Sequence, residues 1–156
     1  MRKQYINYLL NLPVNISYYN IHNYTSHWHS STEIIYVLEG TINISIDTDS
    51  FILKENEVEI INPDECHSFF SESDNKVLIF QIDPDFFEKY YKDIRNVFFY
   101  TNSNDEEDQS GEKYDELKSL LCKILCEFVQ TLDDFDEQIE DILINLLYHL
   151  INNFHY

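Results

Sequence analysis

The residues best suited to chemistry lie in one stretch, His27 to Gly40, HWHSSTEIIYVLEG. Two histidines stand two apart, and a glutamate follows four residues after the second. In an extended strand, side chains two apart point to the same side. On that basis His27, His29 and Glu33 share a face and Trp28 points away. Two neutral imidazoles and a carboxylate make a borderline-hard donor set that suits Zn, Ni, Fe or Mn better than Ca or Cu(I). His67, in INPDECHSFF, is the candidate fourth ligand, with Pro63 fixing a turn before the strand that delivers it. The same four residues could instead line a polar pocket that holds an effector or water without metal. Both readings stay open at this point, and clusters of this type favour functional sites.

Other polar side chains are candidates for ligand contact. Tyr18, Tyr19 and Tyr24 precede the histidine pair, and tyrosine combines a stacking face with a hydroxyl. Tyr18 and Tyr24 are the candidates taken from this group, and Gln81, late in KVLIFQI, is the last. Cys66 adjoins His67, so the two should face opposite ways, with the thiol acting as a small buried hydrophobe. Cys122 and Cys126, one helical turn apart, read as core packing. His22, His149 and His155 have no motif around them.

These residues must be held by a scaffold, and the pattern shows one. ISYYNI, EIIYVLE, TINISID, SFIL, EVEIIN, SFF and KVLIFQI read as short strands. Glu39-Gly40 and the DTDS run from Asp47 are hairpin turns between them. Strands at this spacing predict a sandwich or barrel. In the strand from Glu33, Ile35 and Val37 face one way and Ile34, Tyr36 and Leu38 the other, so both faces should be covered. KVLIFQI behaves alike, which calls for helices or a partner packed outside the barrel.

Asp83 as N-cap and Pro84 in the first turn open a helix in DPDFFEKYYKDIRN. Two longer helices follow. One carries a stripe of Tyr114, Leu117, Leu121, Ile124 or Leu125, and Phe128. The other carries Ile139, Ile142 or Leu143, Leu146, Leu150 and Phe154, broadened by Leu147 and Ile151. TLDDFDE separates them, so they should form an antiparallel hairpin. The broad second stripe predicts either a dimer interface or packing on the barrel. It runs almost to the last residue without a glycine or proline stop, as if the chain were cut short. The expected organisation is a lead or arm at 1–15, a β-barrel at 16–100, an acidic linker at 101–111 and a helical dimerisation hairpin at 112–156.

Composition narrows the function classes. The 156 residues carry a net charge of −19, which repels phosphate backbones and anionic membrane surfaces. Twelve Tyr and eleven Phe supply a real core. Three cysteines do not make a disulfide framework. No apolar run reaches transmembrane length and no signal segment opens the chain, so the cytoplasm is the expected compartment.

From its histidine pair onward, His27-x-His29-x3-Glu33-x6-Gly40 resembles the first cupin motif, and NPDECH, ending at His67, resembles the second. The glycine preceding the first motif is absent, with Ile21 in its place, and the second motif lacks its glycine and its following asparagine. The wider wording HWHSSTEIIYVLEG…FILKENEVEIINPDECHSF is similar to the N-terminal sensor domain of AraC-type transcription factors, over roughly residues 16–90. That resemblance implies a mainly β fold, a cupin-like jelly-roll barrel followed by an antiparallel helix pair. It implies a small-molecule effector, possibly a sugar, inside the barrel and an N-terminal arm folded over it. It further implies a homodimer joined by the C-terminal helices, with DNA read by two helix-turn-helix units that residues 112–156 are too acidic and short to form. The expected function is therefore non-enzymatic sensing. A metal-dependent cupin isomerase or dioxygenase is the rival reading.

Overall fold

The computed structural model describes residues 1–8, 12–101, 109–130 and 135–155, with the side chains of 135 and 136 excepted. The core of the linker expected at 101–111 and most of the TLDDFDE separator lie outside the described residues. Nine strands occur in chain order: β1 (Arg2–Lys3), β2 (Val14–Tyr19), β3 (Asn23–Trp28), β4 (Thr32–Glu39), β5 (Ile42–Ile46), β6 (Asp49–Leu53), β7 (Val58–Ile61), β8 (His67–Phe70) and β9 (Lys76–Ile82). They form a five-stranded sheet in the order β1-β3-β8-β5-β6 and a four-stranded sheet in the order β2-β9-β4-β7. Every pairing is antiparallel except β1 with β3. The helices are α1 (Pro84–Tyr90), α2 (Glu112–Val129) and α3 (Phe135–Asn153).

The alternation along β4 and β9 decides the layering. Ile35, Val37, Val77 and Ile79 join Ile42, Ile44, Leu53 and Phe69 in a core between the two sheets. Ile34, Leu78, Phe80 and Ile82 face the other way and pack with the helices, and Tyr36 and Leu38 border the same cluster. Both faces of the four-stranded sheet are therefore covered, as their apolar parities require. The five-stranded sheet leaves its outer face to water, where Ile52 and Phe70 are exposed.

Asp83 caps α1 with its side chain, accepting the Asp85 N–H at 3.0 Å, and Pro84 occupies the first turn. α2 and α3 run antiparallel: Tyr114 at the start of α2 meets Phe154 beyond the end of α3, with ring centroids 5.3 Å apart. Gln109 closes the free edge of β7. Its side-chain amide accepts from Val58 N and donates to Val58 O, both at 2.8 Å, in place of a neighbouring strand. Gly40 follows β4 at φ 81, and a Cβ there would sit 2.8 Å from the Asp74 carbonyl. Only glycine fits that turn without strain.

Two expectations change. Ile139, Leu143, Leu146 and Leu150, on the stripe for which a dimer interface or packing on the barrel was expected, are all 0% exposed within one chain. They are consumed by the barrel and α2, so no partner can reach them. Cys122 and Cys126 are exposed on α2 and take no part in the core.

Candidate functional site

The histidine cluster forms where the chain crosses between sheets. His27 lies near the end of β3 in the five-stranded sheet, and Glu33 lies on β4 in the four-stranded sheet. His29 stands in the turn between those strands. The three therefore do not share one strand face, as simple parity suggests; they converge because the backbone folds across the barrel end. A bulge adds a second departure. The β3–β8 register shifts between Tyr24 and His27, which brings both side chains to the interior. Their rings meet at 4.6 Å. His67 opens β8 directly opposite His27, and those ring centroids are 4.2 Å apart. Trp28 points outward, where the Lys3 ammonium stands 4.9 Å from its ring centre.

His29 Nε2 donates to Glu33 Oε2 at 2.8 Å, and Gln81 Nε2 donates to the same oxygen at 2.9 Å. Asn15 Nδ2 in turn donates to Gln81 Oε1 at 3.1 Å, so a relay of amides orients the carboxylate. The Nδ1–H of His27 donates to Thr25 O and that of His67 to Glu65 O, each at 2.9 Å. These bonds use one nitrogen of every ring and leave a lone pair on the other. His29 Nδ1, His67 Nε2 and Glu33 Oε1 are buried without a hydrogen-bond partner. Ligating nitrogens of His27, His29 and His67 lie within 4.8 Å of one another. Buried polar atoms are seldom left unpaired. Three imidazole nitrogens this close fit a borderline cation such as Zn, Ni, Fe or Mn, and the Glu33 carboxylate, expected as a ligand, stands beside that group rather than within it.

Electrostatics keep the donors ready. Burial pushes the His67 imidazole down to about 4, against the attraction of Glu33 and its bond to the Glu65 carbonyl. Burial also lowers His27, opposed by its bond to Thr25. Burial alone would raise the Glu33 carboxyl, but the His29 bond, the electrostatic pull of the nearby His67 and His29 rings and the Gln81 bond hold it below the usual carboxylate range. His67 is therefore expected to keep the NMR shifts of a neutral ring at pH 5.5 and to titrate near 4. Its unfolded form would protonate near 6.5. The stability this histidine lends is thus present above about pH 6.5 and lost as pH falls towards 4. A measured midpoint near 6.5 would contradict its burial.

A cavity of about 160 Å³ opens beside this cluster. His27, Glu33 and Gln81 line it together with Tyr24, Phe69 and Ile79. Two further groups line it, of which the sequence had marked only Tyr19 and, through the family resemblance, an arm without named residues. Asn15, Ser17 and Tyr19 enter from β2, and Gln4, Tyr5 and Asn7 enter from the N-terminal segment. Tyr18 is not among them. It follows the outward parity of Val14 and Ile16 and is 59% exposed, so Tyr19 rather than Tyr18 lines the cavity. The polar residues at alternate positions from Asn15 were the available signal once the strand is started at Val14. β1 holds the N-terminal segment on β3, Gln4 N donates to Trp28 O at 2.8 Å, and Gln4 Nε2 donates to the Tyr24 hydroxyl at 3.1 Å. Gln4 Oε1 is buried and unpartnered. No Lys or Arg among the described residues lines the cavity.

Of the other residues noted in the sequence, Cys66 is half-buried, 3.3 Å from Ser26 Oγ, on the side away from the cavity lining. His22 is exposed near Asp74, His149 bonds Lys113 O at 2.8 Å, and His155 is exposed.

Solved structures similar to this chain include cupins. A cupin-2 domain protein from Shewanella frigidimarina is 19% identical, at TM-score 0.43, over 45% of this chain and 71% of that one. An RmlC-like cupin from the same organism is 16% identical, at TM-score 0.45, over 49% and 74%. A cupin-2 barrel protein from Salinispora arenicola is 16% identical, at TM-score 0.43, over 49% and 69%. A search of curated protein sequences finds no significant match. The family model of the AraC-like ligand binding domain matches residues 15–147, taking in the barrel strands from β2 onward, α1, α2 and most of α3. The chain, a mainly β fold of two sheets with a C-terminal helix pair, belongs to the AraC-like ligand binding domain family.

Proposed function

We propose that this domain is the non-enzymatic sensor of an AraC-type transcriptional regulator and binds a small, uncharged, oxygen-rich effector, such as a sugar, in the barrel cavity. One observation carries the reading. The N-terminal segment lends Gln4, Tyr5 and Asn7 to the same cavity that His27 and Glu33 line, while His29 and His67 stand behind them outside its lining. An occupant there contacts both barrel and arm, and so can favour one arrangement of the arm over another. That differential contact is what a sensor requires. Amide and hydroxyl groups match a polyol, the rings of Tyr19 and Tyr24 offer stacking faces, and no cation invites an anionic ligand.

Should His27, His29, Glu33 and His67 hold a divalent ion, it would supply a Lewis-acidic centre for an effector oxygen. The protein's own part is to keep His27 and His67 neutral, orient Glu33 through His29 and Gln81, and shield the site with the arm. The chain's charge of −19 leaves DNA contact to an attached helix-turn-helix domain in the cytoplasm. Dimerisation in this reading uses the outer side of the helix pair, where Tyr148 is exposed and Ile144 and Ile151 are half-buried. Ile144→Asp with Tyr148→Asp should then give folded monomers by sedimentation; an unchanged dimer rejects that face.

The effector is found by thermal-shift screening of neutral sugars and other metabolites, with and without Zn²⁺. A binder should slow hydrogen exchange at the Gln4 amide, and Tyr24→Ala should abolish the shift. A binder that leaves arm exchange unchanged contradicts the sensing role. Turnover of a binder would establish the rival enzyme reading, for which the converging imidazole nitrogens are the supporting observation.

A further inference from the structure

A second cavity, of about 380 Å³, is bounded by α1, the segment after it and two loops of the barrel. None of the residues of the core between the sheets lines it. Its volume falls in the range usual for small-molecule sites, about 300–1,000 Å³. Pro63, Phe87, Ile94, Val97, Phe98 and Phe99 make an apolar, aromatic wall. Phe98 is 45% exposed.

The lining carries two carboxyls and one guanidinium, and the guanidinium is already paired. Arg95 contributes the cavity's guanidinium, but Asp85 Oδ1 takes Nη2 at 2.8 Å and Glu88 Oε2 takes Nη2 at 3.0 Å and Nε at 3.1 Å. Its charge is thereby engaged. Asp64 and Glu65 supply carboxyls. Glu65 Oε2 accepts from Asn62 N at 2.8 Å and Nδ2 at 3.3 Å, while Oε1 accepts no hydrogen bond among the described residues. An acidic lining with aromatic walls in a chain of charge −19 selects a cation with an apolar body.

The cavity also shares its walls with the histidine cluster. Ser30 lines it from the turn that carries His29, and Thr32 from the start of β4 next to Glu33. Asp64 N donates to His29 O at 2.8 Å, and the Glu65 carbonyl holds His67 Nδ1 at 2.9 Å. Pressure on either loop is felt by a histidine.

We propose that this cavity is a second small-molecule site, selective for an amphipathic organic amine, whose occupancy shifts the loops that hold His29 and His67. The site stands whatever the barrel cavity binds. The test is NMR titration of the isotope-labelled chain with 2-phenylethylamine, 2-phenylethanol and phenylacetate, which share a body and differ in charge. The amine should cause saturable shifts at Thr32, Asp64, Glu65 and Phe99, with a coupled shift at His29. The alcohol and the acid should bind at least about tenfold more weakly, as expected for loss of a charge-assisted bond. Phe98→Ala, at the exposed rim, should weaken the amine without unfolding the chain, and Glu65→Gln should bring amine and alcohol to parity. No saturable shift with any probe would overturn the site. So would shifts confined to Tyr24, His27 and Gln81 and indifferent to Phe98→Ala. Equal binding of all three probes, or unchanged selectivity in Glu65→Gln, would overturn the amine assignment.

Discussion

Leu146→Ala combined with Leu150→Ala should unfold the barrel along with the helices and lower the melting temperature by roughly 10 °C or more. Both side chains are 0% exposed, in one continuous core with Ile34, Phe80 and Ile82 of the four-stranded sheet. A buried Leu→Ala change costs about 2–5 kcal/mol through lost burial and the cavity left behind. Two such losses rival the whole stability of an ordinary domain, about 5–15 kcal/mol. The two sites are one turn apart on α3, so their costs need not add. The single tryptophan, Trp28, reports from β3 in the opposite sheet. Its fluorescence transition should coincide with loss of helical circular dichroism. A helix signal that melts early while Trp28 stays native would mean that the helix pair is a separate unit.

Glu33→Gln should leave the metal-free protein folded, within about 1 kcal/mol of the parent, yet weaken divalent metal binding by about 10²-fold or more. The two effects separate because the side chain has two duties. Its Oε2 accepts bonds from His29 and Gln81, and a glutamine oxygen can accept both. Its Oε1 is buried and unpartnered, 3.6 Å from His67 Nε2, and carries the charge that would neutralise a cation. Removing a buried charge relieves a desolvation cost, which offsets weaker hydrogen bonds. Equal losses of stability and of metal affinity would mean that Glu33 is structural. Thermal melts of the metal-free variant, set beside its zinc titration, measure both.

The sequence made some of this legible and hid the rest for identifiable reasons. Ile34 and Ile35, apolar on both faces of one strand, announced a covered sheet, because period-two patterning is local. Asp83 and Pro84 announced α1 for the same reason. His27, His29, Glu33 and His67 were found as a group, but the stated reason for their meeting was incomplete. One bulge before His27 and one sheet crossing at His29 replace the simple alternation, and neither leaves a glycine or proline mark. Tyr18 was preferred to Tyr19 because a one-residue choice of parity reverses every side chain of β2. The apolar stripe of α3 was clear, but a stripe does not say what covers it. The barrel's outer face took it, leaving Cys122 and Cys126 on the exposed side of α2. The contribution of Gln4 and Asn7 was invisible because β1 is only two residues long.

The central claim is that the histidine cluster beneath the arm is a binding centre able to hold a metal ion. Calorimetric titration of the tag-free chain with Zn²⁺, alongside a His29→Ala/His67→Ala variant, tests it most directly. The predicted result is about one equivalent bound by the parent chain and none at comparable affinity by the variant. Uptake below about a tenth of an equivalent, or equal uptake by both proteins, would contradict it.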